Sequence, residues 1–355
     1  MTNTPGADSL SEIHTESEHE KVVLWSDPAA NYRGVIAVHS TTLGPAVGGT
    51  RLWHYANDEA AIFDALRLSR AMSYKNALAG LPFGGGKAVI IGNSKTIDRE
   101  KIFRAHGRFV DSLGGRFITA EDVGTGPDDM EYIRMETPYV AGLPGGSGDP
   151  SPVTAYGVFR ALQAATKHRW GSDELAKRTI AIQGCGKTGY ELAKLLYYAG
   201  AKLLVSDVDA AKVRKVVNDF GATAVAPDQI VGVNADVFVP CALGGVINDE
   251  TIRQLKVEIV VGSANNQLLE DRHGDALHEI GILYVPDYVA NAGGVVHGCR
   301  DLLGWPEERA KQQVDRIYDT VIEILESAGT GTPPFRVANQ LAERKLFPNR
   351  ARTTD

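Results

Sequence analysis

Short apolar runs recur through most of this chain, and their spacing predicts its elements. Between Val22 and Val38 the runs KVVLW and GVIAVH flank the turn DPAANYRG, which predicts a pair of strands. Asn57 is placed to cap a helix from Asp58 to about Tyr74, where Ile62, Ala65, Leu66 and Ser69 follow helical spacing behind an acidic first turn. AVIIG (88–92) reads as a short buried strand, IFRAHGRFVDSL (102–113) as an amphipathic helix, and RFITA (116–120) as the strand after it. Gly and Pro then crowd into AGLPGGSGDPSP (141–152), a hinge between two domains. Beyond it lie the strand-like runs TIAIQ (179–183), KLLVS (202–206), ATAV (222–225), ADVFVP (235–240), EIVVG (258–262) and ILYVP (282–286). Helical stretches such as TGYELAKLLYYA (188–199) and DAAKVRKVVNDF (209–220) separate them, a rhythm that predicts a doubly wound parallel sheet of the α/β class. The last 55 residues read as helices, including 307–327, and residues 1–20 read as a polar, flexible tail.

Composition narrows this picture. A length of 355 residues favours two domains over one core. A net charge of −7 argues against a nucleic-acid partner, and no apolar run approaches the roughly 18 residues needed to span a bilayer. The N-terminus carries no apolar export segment, and Cys185, Cys241 and Cys299 are sparse and form no CxxC pair, so a reducing, cytoplasmic setting is expected. The nine histidines form no HExxH or similar pair, so no metal site is expected; His297 reads as a packed imidazole rather than a site residue.

Two stretches carry chemistry. Gly184-Cys185-Gly186-Lys187-Thr188-Gly189 follows a predicted strand and opens a predicted helix. Its first glycine allows the tight turn, its second lets a pyrophosphate reach the backbone, and its third lets helix and strand pack closely. Asp207 ends the next strand at the distance expected of an acid that binds ribose hydroxyls, and it would repel a 2′-phosphate, so NAD is favoured; Lys202 and Lys212 nearby weigh the other way. Cys185 reads as a small filler of the glycine turn. Upstream, Gly84-Gly85-Gly86-Lys87 stands twelve residues after Lys75. It is no P-loop, because Leu81 replaces the first glycine and Ala88 the Ser/Thr. Lys87 is either a surface lysine on a glycine turn or a buried base with a lowered pKa. Lys75 is either a solvated helix end or a fixed charge for a carboxylate. Asp122, at a strand end in TAEDVGTGPDDM (119–130), is placed to shuttle protons beside them, whereas Asp128 and Asp129 read as a helix's first turn. Asn265, Asn266 and Asn291 fall where ligands of open α/β sheets gather; Asn266 equally well only ends a strand.

The segments LGPAVGGTR (43–51), SRAMSYKNALAGLPFGGGKAVIIG (69–92), ITAEDVGTGPDDM (118–130), SPVTAYGVF (151–159), PCALGG (240–245), GSANNQLLEDRHGD (262–275) and PDYVANAGG (286–294) resemble the Glu/Leu/Phe/Val amino-acid dehydrogenases, leucine and valine dehydrogenases first and phenylalanine dehydrogenases next. The resemblance implies a substrate-binding and oligomerisation domain at 21–146, an NAD-binding Rossmann domain at 147–300 with a cleft between them, and C-terminal helices at 301–355 packing back toward the first domain. It implies NAD-dependent, reversible oxidative deamination of a hydrophobic L-amino acid to its 2-oxo acid and ammonia by a homo-oligomer. By that likeness Lys87 is the base that activates water, Asp122 exchanges protons with the amino group, and Lys75 holds the carboxylate. Asn265 and Asn291 orient substrate and nicotinamide, and Thr154 meets the carboxamide. Gly48, Gly49, Val47, Ala120, Val295 and Gly298 line the substrate site, while Cys241 and Ala242 join the fingerprint around the cofactor. Leucine, valine and isoleucine are the favoured substrates. Gly298 and the following CRDLLGW point instead to phenylalanine or a larger aromatic. A non-catalytic NAD-binding scaffold is the alternative of another class; the trio Lys75, Lys87 and Asp122 argues against it.

Overall fold

A computed structural model describes residues 18–93, 97–143, 145–146, 148–329 and 331–349, so the tail read at 1–20 lies, up to residue 17, outside the described residues. The first strand pair forms where the alternation placed it: β1 (Lys21–Asp27) runs antiparallel to β2 (Tyr32–Ser40), with Asp27 capping the turn between them. β3 (Ala46–Trp53) follows, then α1 (Asp58–Leu78), whose Asn57 accepts the Ala60 amide at 2.8 Å. β4 (Gly84–Ile91), α2 (Arg99–Asp111), β5 (Phe117–Glu121) and α3 (Pro127–Arg134) complete a sheet ordered β1-β2-β4-β3-β5. β3 lies parallel to both β4 and β5.

Two differences from the sequence reading matter for function. The strand expected at Ala88 begins four residues earlier, at Gly84, and β3 was not anticipated at all. Glycine weakens strands, so glycine runs read as turns. Here they are needed inside the sheet, because a side chain at Gly48 would strike the carbonyl of Gly86, one at Gly85 would strike Ser73, and one at Gly86 would strike the Phe117 ring. The sheet's two faces differ by period-two alternation. Ile36, Val38, Leu52, Ala88, Ile90 and Phe117 pack with Phe103 and Phe109 of α2 on one face; Val35, Ala37 and Val89 pack with Ile62, Ala65 and Leu66 of α1 on the other. Each fully buried large side chain contributes about 1.5–3 kcal/mol.

The chain divides into two compact units: Met1–Gly148 with Ala342–Asp355, and Asp149–Leu341. The hinge read at 141–152 overlaps a helix, since α4 (Ser151–Trp170) starts within it, with Pro152 in its first turn where no amide partner is needed. In the second unit β6 (Thr179–Gln183), α5 (Lys187–Tyr198), β7 (Lys202–Ser206), α6 (Ala210–Phe220), β8 (Thr223–Ala224), β9 (Val237–Pro240), β10 (Ile259–Val260), α7 (Asp271–Glu279) and β11 (Leu283–Tyr284) build a parallel sheet ordered β11-β10-β9-β6-β7-β8. Strand order therefore reverses between β6 and β9, the switch point of a doubly wound α/β fold. α8 (Asp287–Ala290), α9 (Gly293–Leu303), α10 (Glu307–Ala328) and α11 (Pro334–Leu346) follow; residues 301–341 belong to the second unit and 342–355 to the first.

Candidate active site

In the first unit, alternation along β3 and β4 sends Val47, Gly49, Arg51 and Lys87 to the α1 face of the sheet. Lys87 is 5% exposed, which excludes the reading of a surface lysine on a turn. Its Nζ lies 2.9 Å from Asp122 Oδ2, just past the end of β5. Thr125 pins that bend: its hydroxyl accepts the Asp122 amide at 2.9 Å and lies 3.1 Å from the Thr50 carbonyl of β3. Burial pushes the Lys87 ammonium below the ordinary lysine range; the Asp122 charge pulls the other way, and Arg51 adds to the lowering. Burial also works against the Asp122 charge, but Lys87 and Arg51 outweigh it and hold the carboxylate below its usual range. Lys75 is half-buried in the last turn of α1. Asp128 and Asp129 do begin a helix, α3, and Asp129 is paired with Arg99. Of the residues read as the substrate pocket, Val47, Gly48 and Gly49 are buried on β3, and Ala120 is half-buried on β5.

In the second unit the glycine turn lies at the switch point. Gly184 has φ +105°, and a side chain there would press on the Cys241–Ala242 peptide; one at Gly189 would strike the Gly184 carbonyl. Gly186 is different: a Cβ there would meet nothing within 4 Å, leaving open space at the first turn of α5, where a pyrophosphate would approach. Asp207 accepts the Cys185 amide at 2.7 Å and the Asp209 amide at 2.8 Å, which aims the carboxylate across the turn and leaves it lone pairs for ribose hydroxyls. Lys202 starts β7, at the far end of the strand from Asp207, and Lys212 is 3.8 Å from Asp209. Lys187 is paired with Asp149 at 3.1 Å. These residues fit a dinucleotide.

The asparagines also resolve. Asn291 is buried and donates from Nδ2 to Asn265 Oδ1 at 2.7 Å and to the Ser263 carbonyl at 3.1 Å, so these two residues meet. Asn266 has φ +53°, a backbone role that asparagine tolerates. Thr154 donates to the Pro150 carbonyl at 2.9 Å, next to Gly294. Val295 and Gly298 are half-buried on α9, and a Cβ at Gly298 would meet nothing within 4 Å. His297 is buried on the same helix, a packed imidazole.

Sequence reading missed Arg51, Asp64 and Tyr55. Arg51 Nε lies 2.9 Å from Asp122 Oδ2 and Nη1 lies 2.8 Å from Asp64 Oδ2, which also accepts the Tyr55 hydroxyl at 2.6 Å. Alternation from Val47 through Gly49 would have found Arg51 had β3 been recognised. It also missed Val208 and Leu243, large apolar residues left 93% and 82% exposed beside Asp207 and Ala242 at the sheet's ligand-binding edge.

A dinucleotide turn at the switch point of a parallel sheet, in a chain that also buries a lysine against a carboxylate, defines the class as a nicotinamide-dependent oxidoreductase. The family model described as the Glu/Leu/Phe/Val dehydrogenase dimerisation domain matches residues 19–139, and that of glutamate/leucine/phenylalanine/valine dehydrogenase matches 145–216 and 207–346. A leucine dehydrogenase of Bacillus cereus is 51% identical over 333 residues, covering 93% of this chain and 91% of the relative. A phenylalanine dehydrogenase of Caldalkalibacillus thermarum is 47% identical over 339 residues, covering 93% and 92%. The crystal structure of L-tryptophan dehydrogenase from Nostoc punctiforme matches with a TM-score of 0.86 at 44% identity, over 96% of this chain and 99% of that one. The chain belongs to the Glu/Leu/Phe/Val dehydrogenase family and is an amino-acid dehydrogenase using a nicotinamide cofactor. This sets aside the non-catalytic scaffold. Among the described residues no helix is long and apolar enough to cross a membrane.

Proposed function

We propose that this chain catalyses the reversible, NAD-dependent oxidative deamination of hydrophobic L-amino acids, leucine, valine and isoleucine first, to the 2-oxo acid and ammonia. The observation that carries the mechanism is the buried Lys87–Asp122 pair. A lysine whose charge burial disfavours can take a proton near neutral pH. Lys87 accordingly serves as the base that activates the attacking water, and Asp122, ionised beside it, exchanges a proton with the substrate nitrogen. Lys75 holds the carboxylate, and Gly48 and Gly49 let β3 pack closely against Gly86 and the Glu121–Asp122 bend beside it. NAD would supply the hydride acceptor; the turn from Gly184 to Gly189, Asp207, Cys241 and Ala242 would hold it, and Thr154 would meet its carboxamide. Asn291, fixed through Asn265, orients substrate and nicotinamide. Asp207 favours NAD over NADP because its charge would repel a 2′-phosphate.

Leucine dehydrogenases at 51% identity support the branched-chain preference. The open space at Gly298 supports a second reading, phenylalanine or a larger aromatic, in which the missing side chain leaves room for a bulkier substrate. A homo-oligomer is proposed because residues 19–139 match a domain described by its dimerisation, and Leu24, Trp53 and Phe63 are exposed in the same unit.

The test is cofactor absorbance with NAD or NADP across a panel of L-amino acids, for wild type and Lys87→Ala. The expected result is NAD-dependent turnover led by leucine or valine, with Lys87→Ala binding NAD normally but losing about 10²–10⁴-fold in kcat. Equal turnover by Lys87→Ala would remove the lysine from the chemistry. Aromatic substrates leading would give the pocket to the second reading.

A further inference from the structure

A buried lysine that releases its proton creates a problem for its partner. Asp122 would lose its counter-ion in a largely water-excluded place, and a carboxylate left so takes up a proton itself. Lys87 and Asp122 would then trade one proton instead of offering a neutral base beside an ionised acid.

Arg51 removes the conflict. Its Nε donates to Asp122 Oδ2, the same oxygen that Lys87 Nζ approaches, both at 2.9 Å. A guanidinium does not deprotonate in a protein, so this partner persists when Lys87 is neutral. Arg51 is itself held: Nη1 donates to Asp64 Oδ2 at 2.8 Å, Tyr55 donates to that oxygen at 2.6 Å, and Arg67 Nη2 donates to Asp64 Oδ1 at 3.2 Å. Because both cations take Oδ2, Oδ1 of Asp122 keeps its lone pairs to accept from a substrate nitrogen. The charged or titratable groups around the pair come from four elements: Arg51 and Tyr55 from β3 and the loop after it, Lys87 from β4, Asp122 and Glu121 from the end of β5, and Asp64, Arg67 and Lys75 from α1.

We propose that Arg51 is a positioning residue, the standing counter-ion that keeps Asp122 ionised while Lys87 is neutral. The inference rests on the roles given above to Lys87 and Asp122. The experiment is the pH profile of kcat/KM for deamination, together with a direct titration of Lys87 by NMR of isotope-labelled lysine, its signal assigned by its loss in Lys87→Ala. Arg51→Met removes a charge that attracts the Asp122 anion and repels the Lys87 proton, so both groups hold protons to higher pH. The acid limb and the Lys87 titration should rise by about one pH unit or more, a fall of about tenfold or more in kcat/KM on that limb. Arg51→Lys keeps the charge and should restore most of the shift. Asp64→Asn leaves Arg51 in place and removes a negative charge that favours protonated Lys87, so its limb should move down, not up. If Arg51→Met does not fold, a near-wild-type limb in Arg51→Lys together with a downward shift in Asp64→Asn decides. A wild-type limb and Lys87 titration in folded Arg51→Met, an equal rise in the Lys and Met variants, or an upward shift in Asp64→Asn would overturn the proposal. A wild type that turns over no amino acid while Lys87 still titrates as described would overturn the catalytic roles and leave the electrostatic inference standing.

Discussion

Gly85→Ala is the most informative single change, because it tests whether the glycine run serves the catalytic geometry. A Cβ at 85 would fall on the amide and hydroxyl of Ser73 and 2.5 Å from its Cα, against an ordinary contact of 3.4–4 Å. Backbone cannot rotate away, so α1 must draw back from β4 by about 1 Å. Ser73 lies two residues before Lys75 on α1, and Gly85 two residues before Lys87 on β4, so the same displacement separates the two lysines. Overpacking of this kind costs about 1–3 kcal/mol, which lowers the melting temperature of a unit of this size by about 2–12 °C. A misplacement of about 1 Å at reacting groups costs about 10²-fold in rate. The assay is thermal melting with kcat and KM, alongside Gly126→Ala, where a Cβ meets nothing within 4 Å. Loss of kcat larger than the stability change accounts for is expected. A Gly85→Ala protein that melts and turns over like Gly126→Ala would refute the reasoning.

His106, bonded to Tyr32 and Thr50 at 2.8 Å each, and His39, bonded to Ser73 at 2.8 Å, are both pushed down to about 3, His106 by burial and His39 by burial with His19 and Arg70. Their contribution to stability is full above the unfolded value of about 6.5 and is lost as pH falls toward 3, about 2 kcal/mol per histidine at pH 5; a melting temperature independent of pH between 7 and 5 would contradict this, and His106→Gln should flatten the slope. The thiols of Cys185 and Cys299 are pushed up to about 12, chiefly by burial, so neither should react promptly with a thiol reagent at neutral pH in the folded protein; rapid labelling of Cys185 would be the contrary result. Gly298→Val should lower kcat/KM for phenylalanine relative to valine by about tenfold or more, as added methyls fill the open space; an unchanged ratio would place the side-chain pocket elsewhere.

Much of this protein was legible in one dimension. Period-two and helical alternation located β1, β2, β6, β7 and α1 to within a few residues, because burying one face imposes those periods on the residues that make it. The fingerprint was legible because its glycines answer local demands: a positive φ at 184 and a close helix approach at 189. Lys75, Lys87 and Asp122 were legible as residue types in a familiar arrangement. The strand nature of 46–53 and 84–87 was not, since glycine carries no local preference for a strand; only the neighbours Ser73, Phe117 and Glu121 require it there. Nor was the ion-pair network. Arg51, Asp64, Lys87 and Asp122 span 71 residues of chain between the first and last, and what joins them is the pairing of β4, β3 and β5 with α1 packed on one face of that sheet. The sequence by itself determined most of the elements, the cofactor turn and the family, because local periodicity and turn chemistry act between near neighbours. Tertiary structure alone decided which charges meet, because the field at a buried lysine is summed over groups that only folding brings within a few ångströms.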